Sequence, residues 1–487
     1  EEVGAQAMPE EIAPVFAPFP TIDFKKPQFP SETVTVSLST SGINTAAIQQ
    51  AIDELSARGG GTVRIPAGEW FTGRIILKDN INLNLEDGAA LRFSGEIKDY
   101  QPAVFTRYEG VEVMSLGGCI YANNATNIAV TGKGRLIGPG KSSAVHKQVR
   151  SDTIDNYIDW DSPVSERVYD GVNSEHIFPP MFISPIQCEG VYIEGISLEN
   201  TAFWNIVPVY CDNVIVRGVT IHSVGIPRGD GINMDSTRNA LIEYCTLSCG
   251  DDCFTMKAGR GPDGIRVNKP TENIVVRYCL TLAGHGGVTC GSETAGWIRN
   301  LYVHDCVFTK TRVGIRFKTR RPRGGGGDTL YYEGIRLSLG GGDAFNWDML
   351  GSRRYVGNLA DRLPARDINE LTPGYKNIHA NAILVENAGY LVKVIGIPES
   401  PLANFTIDNV KINCSKLFRA QDLVDSRFSD IEVTTDDSTI SLLDAKNLLF
   451  ENIDFRISGN ISLDIEGPAS ENIEFRSCTN IDDGVYP

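Results

Sequence analysis

The chain has 487 residues, 41% hydrophobic and 22% charged, which is ordinary globular material with ample capacity for a core. Its formal net charge of -16 argues against nucleic acid or an anionic membrane surface as a partner, and no apolar run reaches the roughly 18 residues of a membrane-crossing helix. The 11 cysteines are odd in number and include no CxxC pair, so neither a zinc ribbon nor a complete disulfide framework is indicated.

Residues 1–30 are proline-rich and aperiodic (APVFAPFP, KKPQFP) and read as an extended arm ahead of one domain, 31–487. The opening EEVGAQAMPEE has no basic stretch followed by an apolar one and is not a signal peptide; a secreted or periplasmic location is expected for a mature form. Asn44 and Thr45 can cap a helix whose apolar residues Ile48, Ala51, Ile52 and Leu55 share one face, and Gly59-Gly60-Gly61 ends it.

Short β runs then recur with one form: Asn, alternating apolar residues, a turn. Examples are NINLNL at 80, NIAVTG at 127, NVIVRGVTI at 213, NALIEYCTL at 239, NIVVRYCLTL at 273 and NLYVHDCVF at 300. The form returns as NFTIDNVKI at 404, NLLFENIDF at 447 and NIEFRSC at 472. A repeat of this kind predicts an all-β solenoid in which one face of each strand points inside the coil. The seventh residue of the form is Cys245, Cys279, Cys306 and Cys478, with Val219 and Ile453 at matching places. These cysteines are expected to be small buried hydrophobes, and the opening Asn to form a structural ladder at a turn.

Three acids stand beside two successive coils: Asp230 in RGDGINMDS, and Asp251 and Asp252 in CGDDCFTMKAG. With Ile232, Met234, Phe254 and Met256 pointing inward, Asn233, Asp235 and Asp251 point outward and the acids can share an exterior face. Crowded carboxylates do not all ionise together, so one can serve as acid while another serves as base. Glycoside hydrolysis needs such a pair. A solvated turn is the alternative reading of the same residues.

Further on, His285 lies in GHGG with outward parity opposite Val288. Ile315 and Phe317 point inward, which leaves Arg316 and Lys318 outward on one face. Around them lie Lys310, Arg312, Arg320, Arg321 and Arg323, with no acid between Asp305 and Asp328. In an acidic protein this island points to an anion-binding site, since Arg and Lys recognise carboxylates.

The ordered set RGDG, GDD, GHG and RFK resembles the four motifs of the polygalacturonase family (glycoside hydrolase family 28), usually NTDG, GDD, GHG and RIK. The likeness extends over most of the chain, and VGIRFKTRRPRGGGG and TPGYKNIHANAI resemble its bacterial, exo-acting members. The resemblance implies a right-handed parallel β-helix with a short capping helix, and an inverting mechanism without metal or cofactor. It assigns Asp251 as general acid, Asp230 and Asp252 as the carboxylates that hold and activate water, and His285 as the residue that orients the acid. Arg316 and Lys318 match the pair that binds the galacturonate carboxylate. Arg228, which with Gly229 replaces the usual Asn-Thr, adds a cation beside Asp230; it and Lys257 are further candidate substrate-binding residues. Residues 141–178 break the coil period and are expected to wall off one end of the cleft.

The expected function is hydrolysis of α-galacturonosidic linkages in pectic polysaccharide, from the chain end, by a monomer. The alternatives are a galacturonidase directed at rhamnogalacturonan or other decorated pectin, a non-catalytic β-helical carbohydrate-binding protein, and a calcium-dependent lyase of the same fold.

Overall fold

The computed structural model describes residues 7–146 and 154–487. Among them, the residues up to Thr255 form one compact unit and Met256–Pro487 another. Both are all-β, with few and short helices, and no described helix is long and apolar enough to cross a membrane. Of the expected arm, residues 1–6 lie outside the described residues, and 7–30 carry no helix or strand. Buried Arg217 fastens this segment: it pairs with Glu243 at 3.0 Å and donates to the carbonyls of Pro9 and Glu10 at 2.9 and 3.1 Å.

Helix α1 spans Thr45–Ala57 and buries Ile48, Ile52 and Leu55, one turn apart on one face. The cap differs from expectation. Asn44 occupies the capping position, but its side chain makes no cap bond and instead ties Ser39, Gly42 and Phe71. The helix ends as expected, with the amides of Gly59 and Gly60 returning to the carbonyls of Ser56 and Leu55.

In the first unit, strands β1 (Gly61–Ile65), β2 (Ile81–Leu85), β3 (Thr126–Gly132), β4 (Glu189–Glu194), β5 (Asp212–Arg217) and β6 (Arg238–Glu243) pair in that order, all parallel. Register places Val63, Leu83, Val130, Ile193, Val216 and Ile242 in one column, each at most 1% exposed. Alternation of apolar and polar residues fixes that register, because a slip of one residue would turn every such side chain outward.

The second unit repeats the scheme. Strands β7 (Thr271–Arg277), β8 (Leu280–Cys290), β9 (Ile298–Thr309), β10 (Thr311–Lys318), β11 (Gly326–Ser338), β12 (Asp343–Asp348) and β13 (Gly374–Ile395) form two parallel columns. One column runs β7, β9, β11, β13 and the other β8, β10, β12, β13. Cys290, Phe317, Trp347 and Val394 stack inside the second column, with the Phe317 and Trp347 rings 4.0 Å apart and 2° from parallel. Each fully buried side chain of this size contributes about 1.5–3 kcal/mol.

The opening Asn is explained by the backbone. Asn80, Asn127, Asn213, Asn239, Asn273, Asn300, Asn404, Asn447 and Asn472 all have φ between 52° and 59°, a left-handed bend that Asn tolerates better than other side-chain-bearing residues. Several also form the expected ladder, with Nδ2 of Asn300 donating to Oδ1 of Asn273 at 3.0 Å and Asn472 to Asn447 at 3.0 Å. The residue before each motif cysteine is left-handed too: Tyr244, Tyr278, Asp305 and Ser477. Cys245, Cys279 and Cys306 are buried free thiols, whereas Cys478 is only half-buried.

Asn300→Ala is expected to cost about 1–2 kcal/mol, because alanine pays the full left-handed penalty and loses the ladder bond. Asn300→Gly should recover at least half of that in thermal melting. A glycine variant as unstable as the alanine one would place the whole cost in the hydrogen bond to Asn273.

Candidate active site

The first unit holds the three candidate acids and Arg228. Ile232 and Met234 are fully buried in the core, as the alternation requires. Asn233 and Asp235 point the other way yet are also 0% exposed; over Asp235 an antiparallel hairpin, Val104–Tyr108 with Val111–Ser115, supplies the cover. Its Arg107 lies 2.9 Å from Asp235 and 2.6 Å from the Ser236 hydroxyl, and stacks 4.9 Å from the Tyr210 ring centre. The hairpin rests on an aromatic cluster in which Tyr108 stacks on Phe178 at 4.3 Å and on Phe203 at 4.9 Å. Ile154, Ile158 and Phe178 of the insertion belong to this cluster; its residues 147–153 lie outside the described residues.

Asp230 is 3% exposed, and its carboxylate accepts from Asn233 Nδ2 at 3.0 Å. Its carbonyl accepts from both the amide and Nδ2 of Asn205 at 2.9 Å, which fixes the turn. The next residue, Gly231, donates its amide to the Asp252 carbonyl at 2.9 Å, and Ile232 donates to that of Cys253 at 2.8 Å. Asp230 and Asp252 therefore stand on adjacent rungs, which are separated by about 4.8 Å. Asp251, half-buried, turns Oδ1 back to the Asp252 amide at 2.9 Å. Glycines allow the close approach: a side chain at Gly231 would meet the Cys253 carbonyl at 2.5 Å, and one at Gly250 that of Ile226 at 2.1 Å. Burial, then the bond to Cys249 and the charges of Asp252 and Asp230, push the Cys253 thiol far above its ordinary range, so it stays neutral.

Arg228 explains the departure from the usual motif. It is half-buried with φ of 55°, and its Nη1 lies 2.7 Å from Glu109 Oε1 and 3.4 Å from the Tyr108 hydroxyl. The cation is thus anchored to the hairpin.

The second unit holds His285, Arg316, Lys318 and Lys257. Ile315 and Phe317 are fully buried, and Arg316 and Lys318 are half-buried on the opposite face of β10. Thr289 of β8 lies in register with Arg316, so His285, half-buried, stands four residues earlier on that neighbouring strand. Lys257 is 4% exposed and its ammonium is engaged, 2.8 Å from Glu293 and 3.0 Å from the Gly291 carbonyl. Arg323 and Arg260 join the same glutamate at 3.1 and 3.5 Å. Burial alone would raise the Glu293 carboxyl, but Lys257, Arg323 and Arg260 hold it well below the usual carboxylate range.

The basic island is therefore not one solvated loop. Lys310 and Arg312 are exposed, whereas Arg321 is buried against Glu399 and the carbonyls of Leu359, Asp361 and Arg362. Sequence reasoning did not find Arg107, Glu109 or Glu293. Arg107 lies 128 residues from its partner Asp235, and Glu293 sits in no repeated pattern.

These features define a β-rich chain with carboxylates on adjacent rungs and cations held by buried glutamate. A family model, glycosyl hydrolases family 28, matches residues 64–339, more than half of the sequence. The chain belongs to this family and is a glycoside hydrolase. It is 28% identical over 382 residues to a probable polygalacturonase of Vitis vinifera, covering 76% of this chain and 71% of the relative. It is 28% identical over 313 residues to an exo-poly-alpha-D-galacturonosidase of Dickeya chrysanthemi, covering 60% of this chain and 52%, about half, of that relative. Among solved structures, a hyperthermoactive exopolygalacturonase from Thermotoga maritima aligns with a TM-score of 0.70 at 24% identity, over 95% of this chain and 96% of the other. A family 28 exopolygalacturonase of Yersinia enterocolitica gives 0.68 at 20%, over 95% and 81%. At these identities the structural likeness is one of fold.

Glu293→Gln is expected to destabilise the protein at neutral pH by about 3–5 kcal/mol, since it leaves buried cations without their counter-charge. A carboxyl held low in the folded state stabilises above the ordinary glutamate range, and loses that contribution as pH falls through its lowered value. Melting temperatures of the native and variant chains should therefore converge on acidification; a gap that stays constant from pH 7 to pH 3 would contradict the ion-pair account.

Proposed function

We propose that this chain is an inverting hydrolase of α-galacturonosidic linkages in pectic polysaccharide, acting from the chain end. The observation that carries the reading is the pairing of Gly231 with Asp252, which sets Asp230 and Asp252 on adjacent rungs with Asp251 beside them. The names of the Vitis and Dickeya relatives, a probable polygalacturonase and an exo-poly-alpha-D-galacturonosidase, support the substrate and the exo mode. The parallel columns of strands in each unit support a right-handed parallel β-helix as the fold of the domain expected over 31–487, and the contacts of Arg217 support an arm in the described residues 7–30. A polymeric substrate outside the cell is consistent with a secreted or periplasmic enzyme.

In this reading Asp251, protonated, gives its proton to the glycosidic oxygen as the bond from that oxygen to the anomeric carbon breaks. A water held by Asp230 and Asp252 loses a proton to them as its oxygen joins the anomeric carbon from the opposite face, so the configuration inverts. His285 orients the acid, and Arg316 and Lys318 hold the galacturonate carboxylate. Arg228 is the further substrate-binding cation, steered by Glu109. Lys257, expected beside it, is buried with its ammonium committed to Glu293 and the Gly291 carbonyl, and acts through that pair, not by reaching substrate. The described part of the insertion closes one end of the cleft, a role supported by the aromatic cluster that joins Ile154, Ile158 and Phe178 to the hairpin.

Asp230→Asn, Asp251→Asn and Asp252→Asn are each expected to lower turnover on oligogalacturonides by about two orders of magnitude or more, with melting behaviour that shows a folded chain. Near-native turnover by Asp251→Asn would remove it as the acid. A product profile on oligogalacturonides should show monomer from the first time points; a random ladder of lengths would replace exo with endo action.

A further inference from the structure

Two asparagines of the first unit grip Asp230, one by its main chain and the other by its carboxylate. On the rung before, Asn205 sends both its amide and its Nδ2 to the Asp230 carbonyl, at 2.9 Å each. That pins the turn. Three residues further along the chain, Asn233 sends Nδ2 to Oδ2 of Asp230 at 3.0 Å. That pins the plane of the carboxylate. Both asparagines are 0% exposed.

Asn233 is itself held by the sheet. Its amide donates to the Ile206 carbonyl at 2.8 Å, and the Asp235 amide donates to that of Pro208 at 3.0 Å. The strand Ile232–Asp235 is thus tied to the rung before it along its length, and the buried Arg107–Asp235 pair closes over its end. A donor mounted on so fixed a strand has little freedom to turn away, which is what orientation asks of a supporting group. The residue type is informative as well. A carboxylate offers only acceptors, so a side chain that supports it must donate. Leucine would fill much the same volume with no polar atom to bury, and aspartate would bring a second carboxylate against the first. Of these three, only the amide supplies an N–H without adding charge.

Closed off from solvent, Asn233 cannot touch a substrate. Any effect it has on turnover passes through a neighbour, and its side chain makes one hydrogen bond among the described residues, the one to Asp230. We propose that Asn233 is a positioning residue for hydrolysis, holding the Asp230 carboxylate turned to receive the proton of the attacking water. The inference rests on the hydrolase reading above and adds to it the group that aims the base. Its consequence is a division of labour. Arg316, Lys318 and Arg228 hold the substrate, and Asn233 acts on the step in which water is deprotonated. Loss of its Nδ2 therefore slows turnover without weakening binding.

The test is a double-mutant cycle on trigalacturonate, with Asn233→Leu, Asp230→Asn and the two together. Asn233→Leu is expected to lower kcat by about tenfold to a hundredfold, the scale of one charged hydrogen bond, with KM little changed. In the Asp230→Asn background the same change should slow the reaction no further, because the carboxylate that Asn233 aims is already gone. A merely structural role predicts otherwise: the leucine substitution then slows both backgrounds by the same factor. That result overturns the proposal, as does a near-native kcat or a loss confined to KM. If the leucine variant does not fold, Asn233→Ala decides by the same criteria. Should the native chain turn over no galacturonate, the hydrolase reading fails and this assignment fails with it. An active native chain beside an unaffected leucine variant sinks the role of Asn233 alone.

Discussion

Everything in each unit depends on side chains of the same facing meeting in register across parallel strands. Val63, Leu83, Val130, Ile193, Val216 and Ile242 touch only because each strand starts at the same point as the strand before it. A positive-φ residue three positions earlier sets that starting point, since it turns the chain sharply at a fixed distance from the inward residue. It is Asn80, Asn127, Asn213 and Asn239 on four of the strands and Gly60 and Gly190 on the other two. A second left-handed residue, ahead of Cys245, Cys279 and Cys306, closes the strand after the same number of residues. The repeat is thus a consequence of two bends and an alternation, and the apolar interior follows from it.

The same geometry places chemistry on the outside. A residue of outward parity has its neighbours on adjacent rungs at about 4.8 Å, which is close enough for carboxylates to interact. Asp230 and Asp252 share the parity of the inward residues but stand at the turns ahead of their strands, on adjacent rungs, and glycines at 231 and 250 remove the side chains that would hold these turns apart. Outward does not mean exposed, however. Asp235 is covered by the hairpin, and covering turns the Arg107–Asp235 contact from a weak surface pair into a buried one whose disruption is costly.

The protein is acidic as a whole, yet Lys257, Arg260, Arg320 and Arg323 gather around one glutamate. Net charge governs what approaches from a distance, and it is screened within about 10 Å in salt. Burial governs what a group does at contact. An acidic surface and a cationic interior are compatible for this reason, and they separate solubility from ligand recognition.

The sequence by itself determined the β repeat, the inward and outward parities, the helix Thr45–Ala57 and the segment that carries each candidate residue, because all of these are local periodicities. It also carried the four motifs by which the family is recognised. The tertiary structure decided which outward residues are covered and which cations are already occupied. Arg228 with Glu109, Arg107 with Asp235 and Lys257 with Glu293 are pairs between segments 36 to 128 residues apart or brought together by a hairpin outside the repeat. No periodicity links such partners. Their meeting depends on how insertions fold back onto the strands, so the sequence displayed the charges and only the packed chain showed how they are paired.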